Sequence, residues 1–154
     1  MNAARLMKSA AAVNSVMTMV KRRMSFRDFC DAVREAVDSL PAQFRPYLEN
    51  VVVDVDEEPS ADDIARLEDR EDLDQDESQL LGLFSGVPLT AQEYGEHHPN
   101  VVKIFRRPME RVCRTRRSLI RNIRATVIHE FAHHFGFSEA DLEDFERSQA
   151  EYDD

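Results

Sequence analysis

The sequence predicts one domain in which amphipathic helices flank a few short strands. Three observations carry that reading. A chain of 154 residues supplies one hydrophobic core rather than two. Apolar residues recur at helical spacing over residues 26–40 and again over 120–135. Between those stretches, "VVVDV" (51–55) and "VVKIF" (101–105) have the β-branched composition of short strands.

Residues 1–24 carry five basic residues and no acidic one. This basic extension is expected to be disordered or loosely helical. An organelle presequence is the alternative, although the sharp apolar centre of a secretory signal is missing. Further methionines at 7, 17, 19 and 24 also allow an upstream start ahead of the domain proper, which is expected to span 25–154. Ser25 and Asp28 stand at capping-box spacing, and Phe26, Phe29, Val33, Val37 and Leu40 then share a helical face until Pro41 stops the helix. A helical turn in "AQFRPYLEN" leads to the first strand, where Val51, Val53 and Val55 lie on one side. Residues 56–79 are acidic and poor in large apolar groups, which predicts a solvated loop with room for a turn of helix after Ser60. "LLGLF" (80–84) and "VPLTA" (87–91) read as extended pieces around a Ser-Gly turn, and "VVKIF" is a further strand, broken by Pro108. From Thr115 a long helix aligns Ile120, Ile123, Val127, Ile128, Phe131 and Phe135 on one stripe. Arg124 falls within that stripe and fits it poorly, unless its head snorkels near the helix start. A last helix begins at Ser138, and residues 147–154 form an acidic tail.

The net charge of −10 argues against general affinity for nucleic acid or an anionic membrane. Residues 54–77 and 139–154 are acidic and 103–124 basic, so mutual neutralisation across the folded surface is expected. A basic patch for an acidic partner is the alternative. Cys30 and Cys113 stand far apart without CxxC spacing, so reduced, buried thiols in a reducing compartment are expected. No apolar run approaches the ~20 residues of a membrane span. The expectation is a cytoplasmic monomer with no nucleic-acid or membrane partner, organelle-targeted only if residues 1–24 are a presequence.

The chemistry sits in "TVIHEFAHHFGFSEADLE" (126–143). His129 and His133, four apart, fall on one helix face roughly opposite the apolar stripe. Two imidazole nitrogens so placed can reach one zinc ion without bending the helix, and Glu130 between them can take a proton from water. The HExxH pattern alone is short enough to arise by chance, and its extension adds the specificity. Gly136 can turn the chain in the left-handed conformation, and Glu139 follows at the spacing of a third ligand, giving HExxHxxGxxE. Asp141 is the alternative third ligand, although Ser138 and Asp141 also form a capping box that gives Asp141 a structural task. His134, close to the stripe, is expected to be a core histidine, with a role beside metal or substrate as the alternative. His97 and His98 are read as a solvated loop pair, the alternative being a substrate contact or fortuitous metal binding. Tyr94 is read as a lone loop tyrosine, the alternative being a donor to a developing oxyanion. Phe131 and Phe135 are read as core.

With these residues the chain resembles the small bacterial single-domain zincin-like metallopeptidases, or minimal zincins. Besides "HEFAHHFG", the likeness includes "SFRDFCDAVREAVDSLPAQF", "LENVVVDVDEEP", "LLGLFSGVPLT" and "IFRRPMERVCRT", together most of residues 25–146. The resemblance implies an α+β fold, a single zincin-like domain whose small β-sheet packs against an N-terminal helix and the long HExxH helix. It also implies Zn2+ held by His129 and His133, with Glu130 as general base. Three features depart from it: glutamate at 139 where the family commonly has aspartate, the basic start, and the acidic stretch 56–79. The H-G-acid spacing is similar to that of metzincins, but no methionine follows Met109, which rules out their Met-turn. The short stretch after Glu139 suggests a shallow site.

The function expected is therefore a zinc-dependent peptidase that hydrolyses peptide bonds with a zinc-activated water and Glu130 as general base. An extended peptide is expected to pair with an edge of the sheet, with "VVKIF" as the candidate. The alternative is a metal-stabilised, non-catalytic protein-binding module using its basic 103–124 surface.

Overall fold

The Ser25 hydroxyl accepts the Asp28 N–H at 3.1 Å and starts helix α1, Phe26–Asp38. Its buried face is Phe29, Ala32, Val33 and Ala36, a spacing that repeats once per turn. The computed structural model describes residues 24–68, 80–85 and 100–153. Most of the basic extension, residues 69–79 of the acidic stretch, "VPLTA", Tyr94, His97 and His98 lie outside the described residues.

After α1, a 3-10 turn (Ala42–Phe44) and the short helix α2 (Arg45–Leu48) lead into strand β1, Val51–Asp56. Helix α3 (Ala61–Glu68), strand β2 (Gly82–Ser85), strand β3 (Asn100–Phe105) and helix α4 (Arg106–Val112) follow. The long helix α5 spans Arg116–Phe135, α6 spans Glu139–Gln149, and a 3-10 turn, Ala150–Tyr152, closes the described chain. This is an α+β arrangement with a three-stranded mixed sheet of order β1-β3-β2.

β3 pairs in parallel with β1 (Val53 opposite Val102) and antiparallel with β2 (Leu83 opposite Lys103). "VVKIF" is thus the middle strand, which corrects its expected place as the edge that receives a peptide. Both of its sides are already paired within the sheet. β1 and β2 are the outer strands among the described residues.

Successive side chains of β3 point to opposite faces. Val102 and Ile104 join the main core with Phe29, Val33 and Ala36 of α1 and with Ile123, Val127 and Phe131 of α5. Phe105 turns the other way, into a small cluster with Leu80 and Leu83. Lys103 shares that second face with Phe105 and meets the Asp63 carboxylate of α3 at 3.2 Å. The expected turn after Ser60 is therefore a full helix docked on the sheet. The Ser60 hydroxyl accepts the Asp63 N–H (3.1 Å), and the Asp63 carboxylate accepts the Ser60 N–H (2.9 Å), a reciprocal capping box. Burial pushes the Asp63 carboxyl up, but the Ser60 donors and the Lys103 ammonium together outweigh it and hold the group below its ordinary value.

Arg124, the poor fit in the apolar stripe, does not snorkel. It is 1% exposed, in the middle of α5. Its guanidinium donates to Gln149 Oε1 (2.8 Å), Ser39 O (2.6 Å), Ser39 Oγ (2.7 Å) and Ser148 Oγ (2.6 Å), and lies 4.6 Å from the Tyr152 ring centroid. One side chain thereby joins α5 to the end of α1 and to the C-terminal helix.

The basic segment is largely paired with acidic groups, as neutralisation requires. Lys103 meets Asp56 and Asp63, Arg106 meets Glu57 and Glu110, Arg111 meets Glu58, Arg116 meets Glu35, and Arg121 meets Asp153. Both cysteines are free thiols, partly buried rather than buried as expected, and desolvation pushes Cys113 up to about 11. Among the described residues, no helix is long and apolar enough to cross a membrane.

Candidate metal centre

Thr115 caps α5 by accepting the Ser118 N–H at 3.0 Å, and Gly136 ends it with φ of 70°. Nothing in this frame interrupts the helix between 129 and 133, so the two histidines stand one turn apart on its exposed face. Their Nε2 atoms converge to 3.1 Å, with the ring planes crossed at 85°. Two nitrogens bound to a tetrahedral zinc at ~2.0–2.1 Å stand roughly 3.3 Å apart. The pair therefore fits such an ion closely.

Glu130 behaves differently from its neighbours. It is 2% exposed, and its Oε2 accepts the backbone N–H of Phe84 in β2 at 3.0 Å. A buried carboxylate needs such a donor to offset its lost hydration. Sequence reading placed Glu130 beside the pair but missed this anchor. A signal for its burial was present: on a helical wheel Glu130 lies within about 20° of Leu119 and Ile123, both buried. Phe84 itself, 46 residues away, had no local signal.

Gly82 explains why β2 comes so near α5. A Cβ there would stand 2.5 Å from Thr126 Cγ2 and 2.8 Å from Lys103 O, so only a residue without one permits the approach.

His134 is exposed, which corrects its reading as a core histidine. It lies in the last turn of α5, where the ring rests against Phe84, centroids 4.2 Å apart. Phe135 is 36% exposed and packs on Tyr47 (5.0 Å), so it lines the rim of the core rather than its interior. Phe131 is fully buried, as expected.

Beyond Gly136 the chain turns into α6. Ser138 caps that helix by accepting the Asp141 N–H at 3.2 Å. The Asp141 carboxylate accepts from the Ser138 hydroxyl (2.9 Å) and from Gln43 Nε2 (2.9 Å), which gives it the structural task the capping box suggested. Glu139, the first residue of α6, is exposed. Among the described residues, no three His, Cys, Asp or Glu side chains converge as a metal-binding group. The structure thus brings His129 and His133 together on the exposed face of α5, turns the Glu130 carboxylate inward to Phe84, and leaves both candidate carboxylate ligands apart from the pair.

A family profile described as zincin-like metallopeptidase matches residues 48–149, which covers β1, the sheet, α5 and α6. The chain belongs to the zincin-like metallopeptidase family. No curated protein matches it.

Proposed function

We propose that the protein is a zinc-dependent peptidase. The observation that carries this reading is the 3.1 Å convergence of His129 and His133 on the exposed face of α5, inside the matched region. His129 and His133 would hold the ion, with Glu139 as the third ligand across the Gly136 turn. Asp141 is the weaker candidate, because Gln43 and Ser138 already occupy its carboxylate. Bound zinc supplies Lewis acidity that activates water and polarises a peptide carbonyl near neutral pH. Glu130 accepts the proton of the attacking water at its carboxylate and delivers it to the leaving amine. An extended peptide would lie across the exposed face of α5 that carries His129 and His133, beside β2, whose outward Phe84 N–H is already taken by Glu130. The partnered arginines of 103–124 leave the binding-module alternative with little free basic surface.

The test is cleavage of a peptide library by the zinc-loaded chain, with and without chelator, beside Glu130→Ala. Wild type is expected to cleave and to stop on chelation, while Glu130→Ala keeps zinc and loses roughly 10²–10⁴-fold in rate. Undiminished turnover by Glu130→Ala contradicts the mechanism. For the third ligand, Glu139→Ala is expected to weaken zinc binding more than Asp141→Ala. The reverse order would reassign it.

A further inference from the structure

The backbone of β2 points two ways. Phe105 N–H donates to Leu81 O at 2.9 Å, and the register sets Leu83 opposite Lys103 and Ser85 opposite Val101. Antiparallel ladders alternate, so Leu83 and Ser85 direct N–H and C=O at β3, while Gly82 and Phe84 direct theirs away from the sheet. An outward N–H on an edge strand ordinarily meets water. At Phe84 it meets a buried carboxylate, Glu130 Oε2.

We infer that the backbone N–H of Phe84 is a positioning group for Glu130. The inference rests on the reading of Glu130 as general base. A glutamate side chain has several rotatable bonds, and proton abstraction requires the carboxylate within hydrogen-bond reach of its target. An anchor from a strand fixes one oxygen and thereby the direction of the other, before any substrate arrives. Gly82 sets the strand-to-helix distance at which the anchor forms. The donor is a main-chain group, so its role separates from that of the Phe84 ring, which packs edge-on against Phe131 and beside His134.

The test uses the full chain and two readouts. The first is amide hydrogen exchange at Phe84 in wild type, Glu130→Gln and Glu130→Ala. Glu130→Gln retains an acceptor and is expected to keep the protection. Glu130→Ala is expected to exchange about tenfold faster at Phe84 or more. Leu83 and Ser85, bonded to β3, serve as unchanged controls. Equal exchange at Phe84 in wild type and Glu130→Ala overturns the inference. The second readout compares zinc-loaded Phe84→Ala, which keeps the N–H, with Phe84→Pro, which lacks it at a position where an edge strand tolerates proline. Phe84→Pro is expected to show a kcat roughly tenfold to a hundredfold below that of Phe84→Ala at similar KM. Equal kcat values overturn the inference, and if Phe84→Pro does not fold, the exchange readout decides alone. Should Phe84 exchange follow Glu130 while the wild-type chain cleaves no peptide, the hydrolase reading fails and the anchor stands.

Discussion

A guanidinium shut inside a protein must find acceptors for its donors, because each unmatched group costs about 1–3 kcal/mol. Arg124 meets that demand with neutral oxygens from Ser39, Ser148 and Gln149, and with the face of Tyr152. Burial pushes its side chain below its ordinary value, with Tyr152 and Glu151 acting in the opposite direction. Truncation would leave the Ser39 carbonyl and the Gln149 amide oxygen without this donor and open a cavity between three helices. Arg124→Ala is expected to lose about 3–5 kcal/mol in urea denaturation. A loss below about 1 kcal/mol would contradict the stapling role. Position alone did not reveal it: the wheel placed Arg124 in the apolar stripe, but its partners lie 85, 25 and 24 residues away in sequence.

At the scale of elements, the contact between β2 and α5 rests on a missing side chain. Gly82→Ala would drive a Cβ into Thr126 Cγ2, which can rotate, and into Lys103 O, which belongs to the strand backbone and cannot. Overpacking of this kind costs ~1–3 kcal/mol. Adding Thr126→Ser is expected to restore only part of that loss, because the clash with the backbone oxygen remains. Full restoration would show that the strand itself is not under pressure.

The seat of α3 on the sheet is electrostatic at its first turn. Asp63 is held below its ordinary carboxylate range in the fold, so its stabilisation is complete above the unfolded value near ~3.9 and fades as pH falls through the lower folded value. Lys103 has the opposite sign. Burial lowers its pKa, but Asp63 and Asp56 raise it further, so its contribution is complete below ~10.4 and fades as pH rises through the higher folded value. Asp63→Asn is expected to flatten the acid limb of the stability–pH curve below about pH 4. An acid limb as steep as that of wild type would remove Asp63 from the account.

Across the whole molecule, what was legible in the sequence was what is local. Ser25, Thr115 and Ser138 cap helices within three residues of themselves, and the α1 and α5 stripes repeat every turn, so those elements could be read directly. The His129–His133 pair belongs to the same class, since helix geometry alone brings i and i+4 together. Strand order was not legible: whether "VVKIF" is edge or centre depends on pairing with one segment 16–22 residues away and another 49 residues away. The burial of Asp63, the packing of His134 on Phe84 and the Phe84–Glu130 anchor are likewise tertiary. The acidic and basic blocks did announce their own pairing, because opposite charges in one small domain have few other partners.

On the proposed function, two imidazoles of one helix, His129 and His133, hold a zinc ion. The most direct test is zinc stoichiometry by elemental analysis of the full chain after stripping and reloading. Wild type is expected to hold one ion per chain, and the His129→Ala/His133→Ala double variant almost none. A wild-type chain without zinc, or a double variant that retains a full equivalent, would contradict the account.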